Sequence, residues 1–83
     1  MALIEIYASR PCNYCDQAKA LLQAKNLKYQ IYDIASDETL LVEFRRRLPR
    51  VLALPQIFID GEHIGSYEDL VILDREGKLD QLS

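Results

Sequence analysis

Cys12-Asn13-Tyr14-Cys15 stands between a short apolar run, Leu3-Ile4-Glu5-Ile6-Tyr7, and a segment in which Ala18, Leu21 and Leu22 recur at helical spacing. These are the only two cysteines in 83 residues. Two intervening residues put both thiols within one helical turn on the same face, close enough for a disulfide without moving the backbone. A thiol pair so spaced, in a small strand–helix context, points to redox chemistry. The apolar run reads as a mostly buried first strand, so the chain opens strand, loop, helix.

Outward from that junction the pattern continues. Asn26 is a helix stop, and Lys28 to Ile34 holds the β-formers Tyr29, Ile31, Tyr32 and Ile34 of a second strand. Ser36 is the expected cap of a second helix, with Asp37 and Glu38 suiting its positive end. Leu40, Leu41, Phe44 and Leu48 form the apolar stripe, and Pro49 ends it. Gln56-Ile57-Phe58-Ile59 is a strand, Asp60-Gly61 a two-residue turn, and Glu62-His63-Ile64 the returning strand. Ser66 caps a third helix, Asp69 nearly completes a capping box, Leu70 and Leu73 give a buried side, and Gly77 ends it. The order is β-α-β-α-β-β-α in a single domain, residues 1–83. Two parallel strands joined by a helix, followed by an antiparallel hairpin, predict a four-stranded mixed sheet flanked by helices. That is an α/β, thioredoxin-like fold at its smallest size.

Composition narrows the function classes. Hydrophobic residues at 49% suffice for one core, while two cysteines are too few for a secreted disulfide scaffold. The net charge of −3 argues against a general nucleic-acid binder. The start Met1-Ala2-Leu3-Ile4-Glu5 lacks a signal-like pattern, and no apolar run reaches the roughly 20 residues of a membrane helix. A cytoplasmic protein follows as the expectation, where a persistent disulfide is more often catalytic than structural. Arg45, Arg46, Arg47 and Arg50 form one basic cluster, either the solvated end of a helix or a docking patch for a carboxylate.

Disulfides are attacked by thiolates, and an ordinary cysteine with a pKa of about 8.5 is mostly protonated at neutral pH. Cys12 meets a helix N-terminus, whose free N–H groups and dipole favour negative charge, and Arg10 lies two residues upstream. Both effects lower its pKa, which makes Cys12 the nucleophile and the more buried Cys15 the resolving thiol. Inert core cysteines fit less well, because the pair begins the helix instead of lying on its apolar stripe. One histidine and two cysteines leave a zinc site unfilled, so no metal is expected. His63 reads as an exposed hairpin residue. Pro55 precedes a strand, and composition alone does not identify its peptide bond as the minority cis form.

Three separated blocks together resemble the glutaredoxins over essentially the whole chain. Cys12-Asn13-Tyr14-Cys15 resembles the family's Cys-Pro-Tyr-Cys, Leu54-Pro55-Gln56-Ile57-Phe58-Ile59 its Val-Pro-Gln-Ile-Phe-Ile, and Asp60-Gly61-Glu62-His63-Ile64-Gly65 leads into its glycine-plus-acidic turn. The resemblance implies a glutathione-dependent thiol–disulfide oxidoreductase with a redox-active Cys12–Cys15 disulfide. It implies a glutathione site of Arg10, Tyr14, Leu54, Pro55, Tyr67 and Glu68. There a cis Pro55 frees the Leu54 backbone for the cysteinyl part, and N–H groups of Tyr67 and Glu68 meet the γ-glutamyl carboxylate. Glu68 or Asp69 would hold the ammonium group, and one of Arg45 to Arg47 the glycyl carboxylate. Asn13 replaces a proline, Ser9 a nearby lysine, Ala53 a threonine, Leu52 an arginine, Ser66 a glycine and Tyr67 a cysteine. Partners implied are glutathione and disulfide or glutathionylated proteins, ribonucleotide reductase among them, acting on a monomer. Two other readings stand beside this one: a glutathione-ligated [2Fe–2S] cluster carrier bridged through Cys12, and a redoxin reduced by a thioredoxin-reductase-type flavoenzyme.

Overall fold

A computed structural model describes residues 2–82. Its elements are β1 (Ile4–Ala8), α1 (Asn13–Ala24), β2 (Gln30–Asp33), α2 (Glu38–Arg47), β3 (Gln56–Ile59), β4 (Glu62–Gly65), α3 (Tyr67–Arg75) and a short 3₁₀ turn at Asp80–Leu82. The sheet order is β2-β1-β3-β4, with β1 parallel to β2 and antiparallel to β3. β3 and β4 form the antiparallel hairpin. This is the four-stranded mixed sheet and helix order that the sequence predicts. Among the described residues no helix is long and apolar enough to cross a membrane.

Alternation along the central strands builds two unequal cores. Ile4, Ile6 and Ala8 of β1 join Ile57 and Ile59 of β3 on one side, where Cys15, Ala18 and Leu22 of α1, Leu70 of α3 and Leu79 cover them. Tyr7 and Phe58 point to the other side and meet Phe44, the one buried residue of α2. All five residues of β1 are buried because helices cover both faces.

Local chemistry sets the ends of these elements. Asn26 takes the left-handed conformation (φ 58°) after α1. The Asn26 N–H donates to the Gln23 carbonyl and the Leu27 N–H to the Leu22 carbonyl, both at 3.0 Å, a Schellman closure. Asp60 and Gly61 (φ 51° and 82°) make the two-residue turn that matches strand twist. The cap of α2 differs from expectation: Asp37, not Ser36, accepts the N–H groups of Thr39 and Leu40 at 2.9 and 3.3 Å. Ser36 instead donates its hydroxyl to the Asp33 carbonyl in the preceding turn.

Candidate active site

Cys12 is the N-cap of α1, and its Sγ accepts the Cys15 N–H at 3.1 Å. The two cysteines are joined in a disulfide with their Cα atoms 5.2 Å apart. Cys15 is 1% exposed and part of the α1/α3 core, whereas Cys12 is half-buried at its rim. Cys12 is therefore the more accessible of the two sulfurs. When the disulfide opens, the charge on Cys12 lies at the N-terminus of a helix, where unpaired N–H groups favour it. Arg10 pairs with a carboxylate of its own. Its guanidinium faces Asp33 at 3.6 Å and is largely in solvent, beyond a peptide bond to Pro11 that is cis.

Tyr14, which lies between the two cysteines in the chain, lines a groove of about 160 Å³ with Leu54, Pro55, Ser66, Tyr67 and Glu68. Three distant segments build it. Tyr14, in the first turn of α1, leans over Tyr67 with ring centroids 6.0 Å apart. Leu54 and Pro55 come from the loop entering β3, and the bond between them is cis. No hydrogen bond among the described residues engages the Leu54 N–H or carbonyl. The third wall is the start of α3, where the first N–H groups have no intrahelical acceptor.

That helix start is held tightly. The Asp69 carboxylate accepts the Ser66 N–H at 2.8 Å and the Ser66 hydroxyl at 3.1 Å. Gly65 (φ +123°) makes the closure possible, since a Cβ there would run into the Asp69 carboxylate. Asp69 is thereby committed to the cap, and of the two acidic candidates Glu68 is the one that lines the groove. Tyr14, Leu54, Pro55, Tyr67 and Glu68 are thus brought together, while Arg10 lines a second cleft, with Ser9, Cys15, Lys19 and Asp33. Ser66, expected as the cap of α3 and as the replacement of a turn glycine, is also part of the groove wall.

The arginine cluster divides. Arg46 lies in solvent near Glu43, at 3.5 Å. Arg47 turns inward: it donates to the Tyr7 hydroxyl at 2.9 Å, meets Glu5 at 3.5 Å and lies 3.9 Å from the Phe58 ring centroid. The Tyr7 bond holds its pKa above the ordinary arginine value. Tyr32 donates to the other Glu5 oxygen at 2.8 Å, and burial, with that bond, pushes its phenol up. Arg47 therefore belongs to the α2 core and not to a carboxylate-docking surface. His63 is exposed as expected, but its Nε2 also lies 2.7 Å from the Gln56 Oε1.

Comparison with known proteins agrees with this geometry. Residues 4–64 match the glutaredoxin family model. The chain is 44% identical over 82 residues to glutaredoxin 3 of Escherichia coli K12, covering 99% of this chain and 98% of that protein. The chain belongs to the glutaredoxin family. Among solved structures, the glutaredoxin of Brucella melitensis is 40% identical with a TM-score of 0.76, over 95% of this chain and 85% of that one. A buckwheat glutaredoxin–glutathione complex shares the fold at a TM-score of 0.79, with 23% identity, over 92% of this chain and 71% of that one. With the family and the paired cysteines together, this glutaredoxin is a thiol–disulfide oxidoreductase.

Proposed function

We propose that this glutaredoxin draws its electrons from glutathione and acts on glutathionylated proteins and protein disulfides through Cys12. The observation that carries the reading is the groove itself. Its lining holds Leu54, whose backbone is unpaired, together with the residues that open α3 and the Tyr14–Tyr67 ring pair. A γ-glutamyl carboxylate is suited to the N-terminus of α3, an ammonium group to Glu68, and an extended cysteinyl unit to the Leu54 backbone. Glutathione presents these groups in this order.

The Cys12 thiolate attacks the glutathionyl sulfur of a mixed disulfide, forms Cys12–S–S–glutathione and releases the protein thiolate. A second glutathione thiolate attacks the bound glutathionyl sulfur, releasing oxidised glutathione and regenerating the Cys12 thiolate. With a protein disulfide, Cys12 first forms a mixed disulfide. Cys15 then attacks the Cys12 sulfur, the substrate leaves reduced, and the Cys12–Cys15 disulfide remains for glutathione. Glutaredoxin potentials of about −200 to −230 mV lie near the glutathione poise, so the exchange runs in either direction. Ribonucleotide reductase is one candidate protein acceptor.

The test is NADPH consumption with glutathione, glutathione reductase and a small glutathionyl mixed disulfide. Turnover is expected in wild type and in Cys15→Ser, and none in Cys12→Ser. Substantial activity in Cys12→Ser contradicts the assignment. Turnover supported by a thioredoxin-reductase-type system but not by glutathione would replace the donor.

A further inference from the structure

Gln56 is a polar residue left only 5% exposed on a central strand, and the disulfide exchange makes no use of it. Its Nε2 donates to the Ala53 carbonyl at 3.0 Å, and its Oε1 lies 2.7 Å from the His63 Nε2. The carbonyl can only accept, so the Gln56 amide nitrogen faces Ala53 and its oxygen faces His63. His63 Nε2 must then be the donor. The irregular register at Ile57/Phe58 pairs Phe58 with His63, and the His63 ring sits 5.1 Å from that of Phe58. The result is a chain of two hydrogen bonds from β4 to the loop that forms one wall of the groove.

The Ala53 carbonyl and the Leu54 N–H belong to one planar peptide unit and point in opposite directions across a trans bond. Holding the carbonyl inward therefore holds the Leu54 N–H outward. We infer that Gln56, backed by His63, is a positioning residue that fixes the Ala53–Leu54 peptide plane so that the Leu54 N–H faces the cysteinyl part of glutathione. The inference rests on the glutathione groove proposed above and assigns the selectivity of that groove to a side chain outside it. A residue that merely satisfies a buried carbonyl would affect stability without changing the choice between substrates.

Two mixed disulfides with the same aromatic leaving group, one carrying glutathione and the other cysteamine, separate these roles. Stopped-flow rates of the reduced protein with each give a glutathionyl-to-cysteaminyl ratio in which the reactivity of Cys12 cancels. Losing one neutral hydrogen bond predicts a ratio about five-fold lower in Gln56→Met. In His63→Leu, which removes the supporting bond only, it should fall about two-fold. A wild-type ratio near one would overturn the glutathione groove itself. A high wild-type ratio that persists in both variants would overturn the role of Gln56 and leave the groove standing. Should Gln56→Met fail to fold, the exposed His63→Leu decides alone: a lowered ratio supports the inference and an unchanged one contradicts it.

Discussion

The two faces of the sheet are built on different physics. The face under α1 and α3 is aliphatic and dry, and it runs unbroken from Ile4 to Cys15, Leu22, Leu70 and Leu79. The face under α2 is a small aromatic cluster threaded by a polar network, Glu5 to Tyr32 and Arg47, and Arg47 to Tyr7. The reactive cysteines and the groove residues Leu54 and Tyr67 pack against the dry face. A rigid base suits them, because disulfide exchange needs one sulfur exposed and the other fixed behind it. The α2 face instead depends on directed hydrogen bonds around a charge that cannot be left alone.

The contrast is most easily broken at Leu22. Truncation to alanine should cost about 3 kcal/mol in denaturant unfolding, because the fully buried site leaves a cavity. A loss no larger than that of an exposed helix position would mean the dry face is not tightly packed. On the other face, Arg47→Met leaves the largely buried Glu5 without its cation and should cost about 2 kcal/mol. Adding Glu5→Leu should recover much of that loss, since the pair can be replaced but not halved. If the double variant is as unstable as the single one, ion pairing is not what holds α2.

Gly65→Ala should cost about 1 kcal/mol, from the positive φ and the collision with Asp69. It should also raise the KM for a glutathionyl substrate while the Cys12 rate with a glutathione-free disulfide stays the same. A comparable effect is expected at Tyr32. Its phenol ionises above the ordinary value of 10.0 because of burial and Glu5. The unfolded chain therefore gives up this proton first, and the contribution is fully present below pH 10.0 and lost as pH rises through the raised value. Tyr32→Phe should be less stable by about 1 kcal/mol near neutrality. Measured by urea unfolding, that gap should narrow above pH 10.0; a constant gap would contradict the buried phenol–carboxylate bond.

Which features could be read in advance follows the same division. The dry face and its elements are encoded locally: alternation in β1 and β3, Asn26 and Gly77 at helix ends, Asp60-Gly61 at the turn, Ser66 with Asp69 at α3. The groove residues came from resemblance in separated blocks, since nothing local to Tyr14 or Tyr67 says that they meet. What stayed hidden depends on tertiary placement. Arg47 has the sequence signature of a solvated helix end, yet the fold turns it inward onto Phe58. Asp37 outcompeted Ser36 because the preceding turn engages the serine hydroxyl. Proximity in sequence points Arg10 at Cys12, and only the fold shows that Asp33 at the end of β2 pairs with it. The Gln56–His63 pair needs the irregular β3–β4 register, which no spacing rule supplies.

The most direct test of the central claim is amide NMR of Cys15→Ser before and after one glutathione is joined to Cys12. Glutathione lying in the groove predicts shifts at Leu54, Tyr67 and Glu68, with the α2 face around Arg47 unmoved. Shifts confined to the immediate neighbours of Cys12 would contradict it.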